Sequence, residues 1–192
     1  MTNDVVFTCR ERITYYGILI KDGAGELALG GPEPHFNSTG TAAPTANKNV
    51  LDVWEGTLRP VSASAFQGLA VVITNANATL AIDVPVSDSD GDIGQYGMLN
   101  TSWDAPLTVP ESGITVQLRD SYGALSQSRS AWRVPVCTVN ATARAALDGK
   151  IRVGRAPARN FAVKNAGWTE NQDGSYTFAA EVNRTGFVAT FN

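Results

Sequence analysis

The side chains with the most chemistry to offer lie between Tyr96 and Trp132. Asn100, Trp103 and Asp104 are close neighbours in the chain, and Arg119, Asp120 and Tyr122 follow on a separate segment. An indole presents a flat apolar surface to the C–H face of a pyranose, while carboxylate, amide and guanidinium groups hold its hydroxyls in charge-assisted hydrogen bonds. Together these six residues predict a glycan-binding site built from loops and strand ends, with Trp103 as the stacking platform. A plainer alternative exists for Arg119-Asp120, the capping of a turn. Trp132 alternates with Val134 and reads as core, Trp168 reads as the anchor of a terminal hairpin, and Trp54 fits either packing or exposure.

Other chemistries find less support. His35 is the only histidine, it lies between Pro34 and Phe36, and no G-x-S-x-G elbow surrounds any serine. A glycosidase needs two carboxylates about 5 to 9.5 Å apart. Glu55, Asp104, Glu111, Asp120, Glu170 and Glu181 are candidates, and nothing in their spacing pairs them, so the chain is not expected to be an enzyme. Asp88, Asp90 and Asp92, with Asp83 nearby, could offer oxygen ligands to calcium. An EF-hand loop fails, because Ile93 stands where glycine is required and Leu99 where glutamate is required. A solvated acidic turn with no metal is the expectation, and no cofactor is implied.

Composition sets the wider frame. Hydrophobic residues make up 43% of the 192 and charged ones only 17%, which argues for a folded chain with a neutral, Ser/Thr/Asn-rich surface. That length fits a single domain over 1–192. The formal net charge of -3 and the lack of a basic tail argue against nucleic acid. Lys150, Arg152, Arg155, Arg159 and Lys164 read as a solvated edge. Apolar runs such as 69–74 are too short for membrane insertion. No basic segment followed by an apolar stretch opens the sequence, so a cytoplasmic chain is expected, released if at all without a signal peptide. The N-x-[ST] triplets at Asn37, Asn77, Asn100, Asn140 and Asn183 matter only in a secretory compartment. Cys9 and Cys137 fit either a bridge or two buried thiols.

The elements that must position these residues are short β-branched and aromatic stretches punctuated by Gly, Pro, Asn and Asp. Strands are predicted at 5–9, 13–20, 26–29, 50–58, 69–74, 79–84, 114–118, 131–136, 161–168 and 175–181, with a further one at the C-terminus. Asn75-Ala76-Asn77 reads as the turn of one hairpin, and 171–174 as the turn of another. One short helix is predicted at 142–147, and the long aperiodic stretch 30–48 reads as a functional loop or an arm toward a neighbouring subunit. The fold expected is all-β, an antiparallel β-sandwich of jelly-roll or lectin type with about ten to twelve strands. The function expected is non-enzymatic, lectin-like carbohydrate binding, with a homodimer or larger homo-oligomer raising avidity. The rival reading is a viral or other structural or assembly β protein, such as a capsid decoration or appendage component.

Overall fold

A computed structural model describes residues 6–9, 17–30, 49–62, 66, 70–86, 99–100, 107–128 and 130–185. In chain order its strands are β1 (Val6–Cys9), β2 (Gly17–Lys21), β3 (Glu26–Leu29), β4 (Asn49–Val53), β5 (Thr57–Pro60), β6 (Ala70–Ile73), β7 (Thr79–Asp83) and β8 (Leu99–Asn100). There follow β9 (Leu107–Thr108), β10 (Ile114–Arg119), β11 (Ala131–Val139), helix α1 (Ala141–Leu147), β12 (Ile151–Val153), β13 (Phe161–Glu170) and β14 (Tyr176–Arg184). A six-stranded sheet runs β1-β3-β5-β7-β10-β12 and a four-stranded sheet runs β2-β4-β6-β9. Every pairing in these two sheets is parallel. A second four-stranded sheet, β13-β14-β11-β8, is antiparallel except where β8 meets β11.

The antiparallel sandwich is therefore overturned. The chain is a mixed α/β fold with two parallel sheets, one largely antiparallel sheet and one α-helix among the described residues. Up to β7, successive strands alternate between the two parallel sheets, so the chain winds in coils, each laying one strand on either side of a shared core. β6 and β7 show why the sequence misleads. They flank Asn75-Ala76-Asn77 as a hairpin would, and Asn75 does form a tight turn, its Oδ1 accepting from the Asn77 N–H at 3.0 Å and its carbonyl from Ala78 at 3.0 Å. That turn is a corner, and the two strands pair with β4 and β5 instead of each other.

Register stacks like on like. Leu27, Leu58, Leu80, Val116 and Val153 form one inward row across the six-stranded sheet. Leu19, Leu51, Val71 and Leu107 form the facing row. Leu51, Leu58, Leu80, Val71 and Val116 are all fully buried. Each such side chain contributes about 1.5 to 3 kcal/mol relative to exposure. The same apolar cluster runs on into the antiparallel sheet through Val134, Val182 and Trp132. There Trp132 packs edge-to-face on Phe161 and Trp168 on Phe178, with centroids 5.4 and 5.2 Å apart.

The corners stack as closely as the strands. Thr57 N–H donates to Gly25 O at 3.1 Å and Thr79 N–H to Gly56 O at 2.8 Å, so the hydrogen-bond ladder continues around the bend. Lys21 ties two corners together, its ammonium donating to the carbonyls of Gly23 (2.6 Å), Glu55 (2.9 Å) and Asp22 (3.2 Å). Burial pulls the Lys21 pKa down, against the upward pull of Asp22 and Glu55. Gly56 has φ +77°, and a Cβ there would sit 2.4 Å from the carbonyl oxygens of both Gly23 and Gly25.

The hairpin expected near 161–181 does form, as β13 and β14. α1 begins where Asn140 Oδ1 accepts the Ala143 N–H at 2.9 Å, a side-chain N-cap. Cys137 is a free, fully buried thiol, so it forms no bridge, and burial pushes its pKa to about 12.

Gly56→Ala is expected to destabilise the fold by more than about 1 kcal/mol in denaturant titration. Gly174→Ala should cost less, because φ is also positive (+79°) but no atom lies within 4 Å of the added carbon. Equal losses would show that corner contact is not what demands glycine at Gly56. Cys137 should resist iodoacetamide at pH 8 in the native protein and react once the chain unfolds; peptide mapping that finds it alkylated under native conditions would contradict its burial.

Candidate functional site

The two parallel sheets turn very different faces away from the core. On the six-stranded sheet that face carries Glu26 of β3, Arg59 of β5, Asp83 of β7 and Arg119 of β10, which form one chain of alternating charge. Arg59 Nε donates to Glu26 at 2.7 Å and its Nη1 to Asp83 at 3.1 Å, while Arg119 donates to the second Glu26 oxygen. Asp83 is only 1% exposed, and its other oxygen accepts the Ser121 N–H at 3.0 Å. The pairing has room because Arg59 is flanked by alanines. Ala28 is its register partner, and Ala81 lies one step beyond the Leu58–Leu80 pair. Burial pushes the Glu26 carboxyl pKa up, but the hydrogen bonds and charges of Arg59 and Arg119 outweigh it and hold the group below its ordinary value. Arg59 shows the reciprocal, its pKa raised by Glu26 and Asp83 against the opposing effect of burial.

This network fixes the place of the predicted site residues that can be described. Arg119 faces Glu26, with a second guanidinium nitrogen 3.3 Å from Gln117 Oε1. Asp120, the next residue, turns to the loop, where Oδ1 accepts the Leu125 N–H at 3.3 Å at the 3-10 turn Ala124–Ser126. Tyr122 is half-buried in the same loop. Asn100 lies in β8, paired with Thr138, and Trp103 and Asp104 fall outside the described residues, as do Asp88, Asp90, Asp92 and His35. Arg119 and Asp120 are thus neighbours in sequence with separate partners.

The lectin reading does not survive. Its antiparallel sandwich is absent, and no aromatic sugar-binding cluster occurs among the described residues: Trp132 is 2% exposed and Trp168 packs on Phe178. The lectin expectation falls with that sandwich, and no feature of the described residues speaks for sugar binding or for a homodimer. The stretch 31–48, whose reading as an arm supported the dimer, lies outside the described residues. The antiparallel sheet does bear an open hollow of about 460 Å³, and its lining includes Trp132, Trp168, Arg133, Asn165, Thr169 and Glu181. Glu181 accepts from Asn165 Nδ2 at 3.1 Å. No group of three or more His, Cys, Asp or Glu side chains suited to a metal occurs among the described residues.

The remaining face, on the outside of β2-β4-β6-β9, is the opposite of the charge network. Register places Ile18 and Ile20, Val50 and Asp52, Ala70 and Val72, and Thr108 there; Ile18, Ile20 and Thr108 are exposed, Val50, Asp52 and Val72 are half-buried, and Ala70 is buried. Trp54 continues the same alternation from the end of β4. The exposed large hydrophobic residues among those described are Ile18 (67%), Ile20 (47%) and Trp54 (44%), and all three belong to this face. The single charged group on it within the strands, Asp52, accepts the Thr74 hydroxyl at 2.5 Å. Sequence reasoning missed the face, although β2 reads Gly-Ile-Leu-Ile-Lys, with apolar residues at both parities. Such runs mark strands covered on both sides.

Arg59→Met should cost about 3 to 5 kcal/mol, because it strands the buried Asp83 without its cation. The native Glu26 pKa is depressed, so its contribution is complete above the ordinary carboxylate value of 4.5 and is lost as pH falls through the native one. Stability measured against pH should therefore fall more steeply on the acid side for the wild type than for Glu26→Gln. Parallel acid limbs would rule out that role for Glu26.

No family model matches the chain, and no curated protein or solved structure does either.

Proposed function

We propose that this chain is a non-catalytic assembly module that docks another protein surface onto the outer face of β2-β4-β6-β9. One observation carries the reading: Ile18, Ile20 and Trp54, each between 44% and 67% exposed, share that single face. Contiguous apolar surface rimmed by polar residues is the physical mark of a contact site. The kind of partner follows from what surrounds it. A membrane surface or a nucleic acid would call for cations beside the apolar residues, and among the described residues this face carries none.

Non-catalytic use is supported by what the carboxylates are engaged in. Glu26 and Asp83 are held by arginines, and Asp120 binds a backbone amide. Groups poised for acid–base work are kept within reach of a substrate instead. The coiled architecture suits assembly for a separate reason: each coil contacts its neighbours and sets equivalent strand faces side by side.

Hydroxyl-radical footprinting tests the proposal. In the dilute purified chain, Ile20 and Trp54 should oxidise readily while Trp132 and Phe178 are protected. In native material recovered from its source, Ile20 and Trp54 should be several-fold less oxidised. Equal oxidation in both samples would overturn the reading.

A further inference from the structure

We infer that the open hollow on the antiparallel sheet is a binding site for a zwitterionic amino acid with an aliphatic side chain. One row of side chains across three adjacent strands supplies its charge. Arg133 of β11 lies directly opposite Glu181 of β14, which lies opposite Asn165 of β13, and all three belong to the lining. Glu181 spends one carboxylate oxygen on the Asn165 amide, and the other has no partner among the described residues. Arg133 is exposed and makes no ion pair among the described residues, although opposite charges facing one another across strands ordinarily attract. The row therefore keeps an uncommitted cation beside an uncommitted carboxylate oxygen. Trp132 and Trp168 of the same lining pack edge-to-face on Phe161 and Phe178, which leaves recognition to the polar row.

The next outward row leaves space beside these charges. It sets Gly167 opposite Ala179, and both belong to the lining. Gly167 stands inside a ten-residue strand, where glycine weakens the element. Neither sterics nor backbone demands it: a Cβ there would meet nothing within 4 Å, and its φ lies outside the left-handed region. Glycine placed so in a strand often marks close approach by a ligand or another backbone. Charge then selects the occupant. A simple anion drawn to Arg133 would be repelled by Glu181, and a simple cation would meet the reverse. A molecule carrying both signs satisfies both. Its carboxylate accepts from the Arg133 guanidinium, its ammonium donates to Glu181, and its aliphatic side chain lies over Gly167 and Ala179. Because the hollow is open to water, affinity in the millimolar range is expected. The site lies on a different sheet from the docking face and stands or falls apart from the assembly reading.

Titration of the isotope-labelled full chain, followed by amide chemical shifts, provides the test. Three probes are used: leucine, N-acetyl-leucine, which lacks the ammonium, and leucinamide, which lacks the carboxylate. Leucine should give saturable shifts at the amides of the hollow, and each blocked form should bind at least tenfold more weakly. Gly167→Val places a strand-favouring side chain in the empty space and should abolish binding without lowering the thermal transition. Arg133→Gln, at an exposed position, should weaken leucine at least tenfold and keeps the test decisive if the glycine variant does not fold. Three results would each overturn the inference: no saturable shift with leucine up to its solubility, blocked forms that bind as well as leucine, or undiminished affinity in a folded Gly167→Val or Arg133→Gln chain.

Discussion

In-register parallel pairing is the constraint on which the remainder of the structure depends. Each strand of the two parallel sheets copies the facing of the strand before it, so Leu27, Leu58, Leu80, Val116 and Val153 stand in one row. A slip of one residue in β3, β5 or β10 would turn core aliphatic side chains outward and Glu26, Arg59 or Gln117 inward. Coils can stack this way only if their corners superpose, which is why corner carbonyls of one turn receive amides of the next and why Gly56 has no space for a side chain. The tolerance for variation lies on the other side, where the connections from β3 to β4 and from β5 to β6 differ in length. Tight corners on one side and unequal connections on the other are the physical signature of a coil that stacks on its bends.

Stacking also decides what happens to the outward residues. Equivalent positions on successive strands lie about 4.8 Å apart, so long side chains on one strand reach across a small residue to the next. Arg59 between Ala28 and Ala81 takes that opportunity, joining Glu26 to Asp83, and Arg119 extends the chain of charge. The paired charges shield one another in a setting where each alone would be costly. At the C-terminal end the antiparallel sheet adds a different kind of closure. Its hairpin and β11 bring Trp132, Phe161, Trp168 and Phe178 into edge-to-face contact, and Thr138 and Thr177 meet across strands at 2.9 Å.

Much of this was legible residue by residue and little of it as topology. The strands at 114–118, 131–136, 161–168 and 175–181, the short helix and the last hairpin correspond to elements of the structure, because alternation and turn chemistry are local signals. Parallel pairing is not local. Period-two alternation says which residues face a core and leaves open whether the next strand in sequence is a neighbour or lies across that core. Asn75-Ala76-Asn77 satisfies a hairpin turn and a coil corner equally. The better signal was in the runs Gly-Ile-Leu-Ile of β2 and Ala-Val-Val-Ile of β6, which are apolar at successive positions as strands of parallel sheets are. The expected site shared the same weakness. Arg119 ends a strand and Asp120 begins a loop, so adjacency in sequence gave them different partners.

The contrast between the two outward faces bears most directly on what the molecule does. On one, every acid of the network already has its base, so a charged ligand would have to displace internal partners before it could bind. On the other, Ile18, Ile20 and Trp54 leave apolar area in water, and covering such area yields about 25 cal/mol per Å² without breaking any bond. Free energy available on contact therefore resides on the neutral face and not on the ionic one. Because coils stack in register, the backbone of that face is held by strand pairing before any partner arrives, and a preorganised surface carries less of the ordering cost that flexible ones incur. An apolar, preformed side on a stiff coil is better matched to holding another protein than to turning over a substrate.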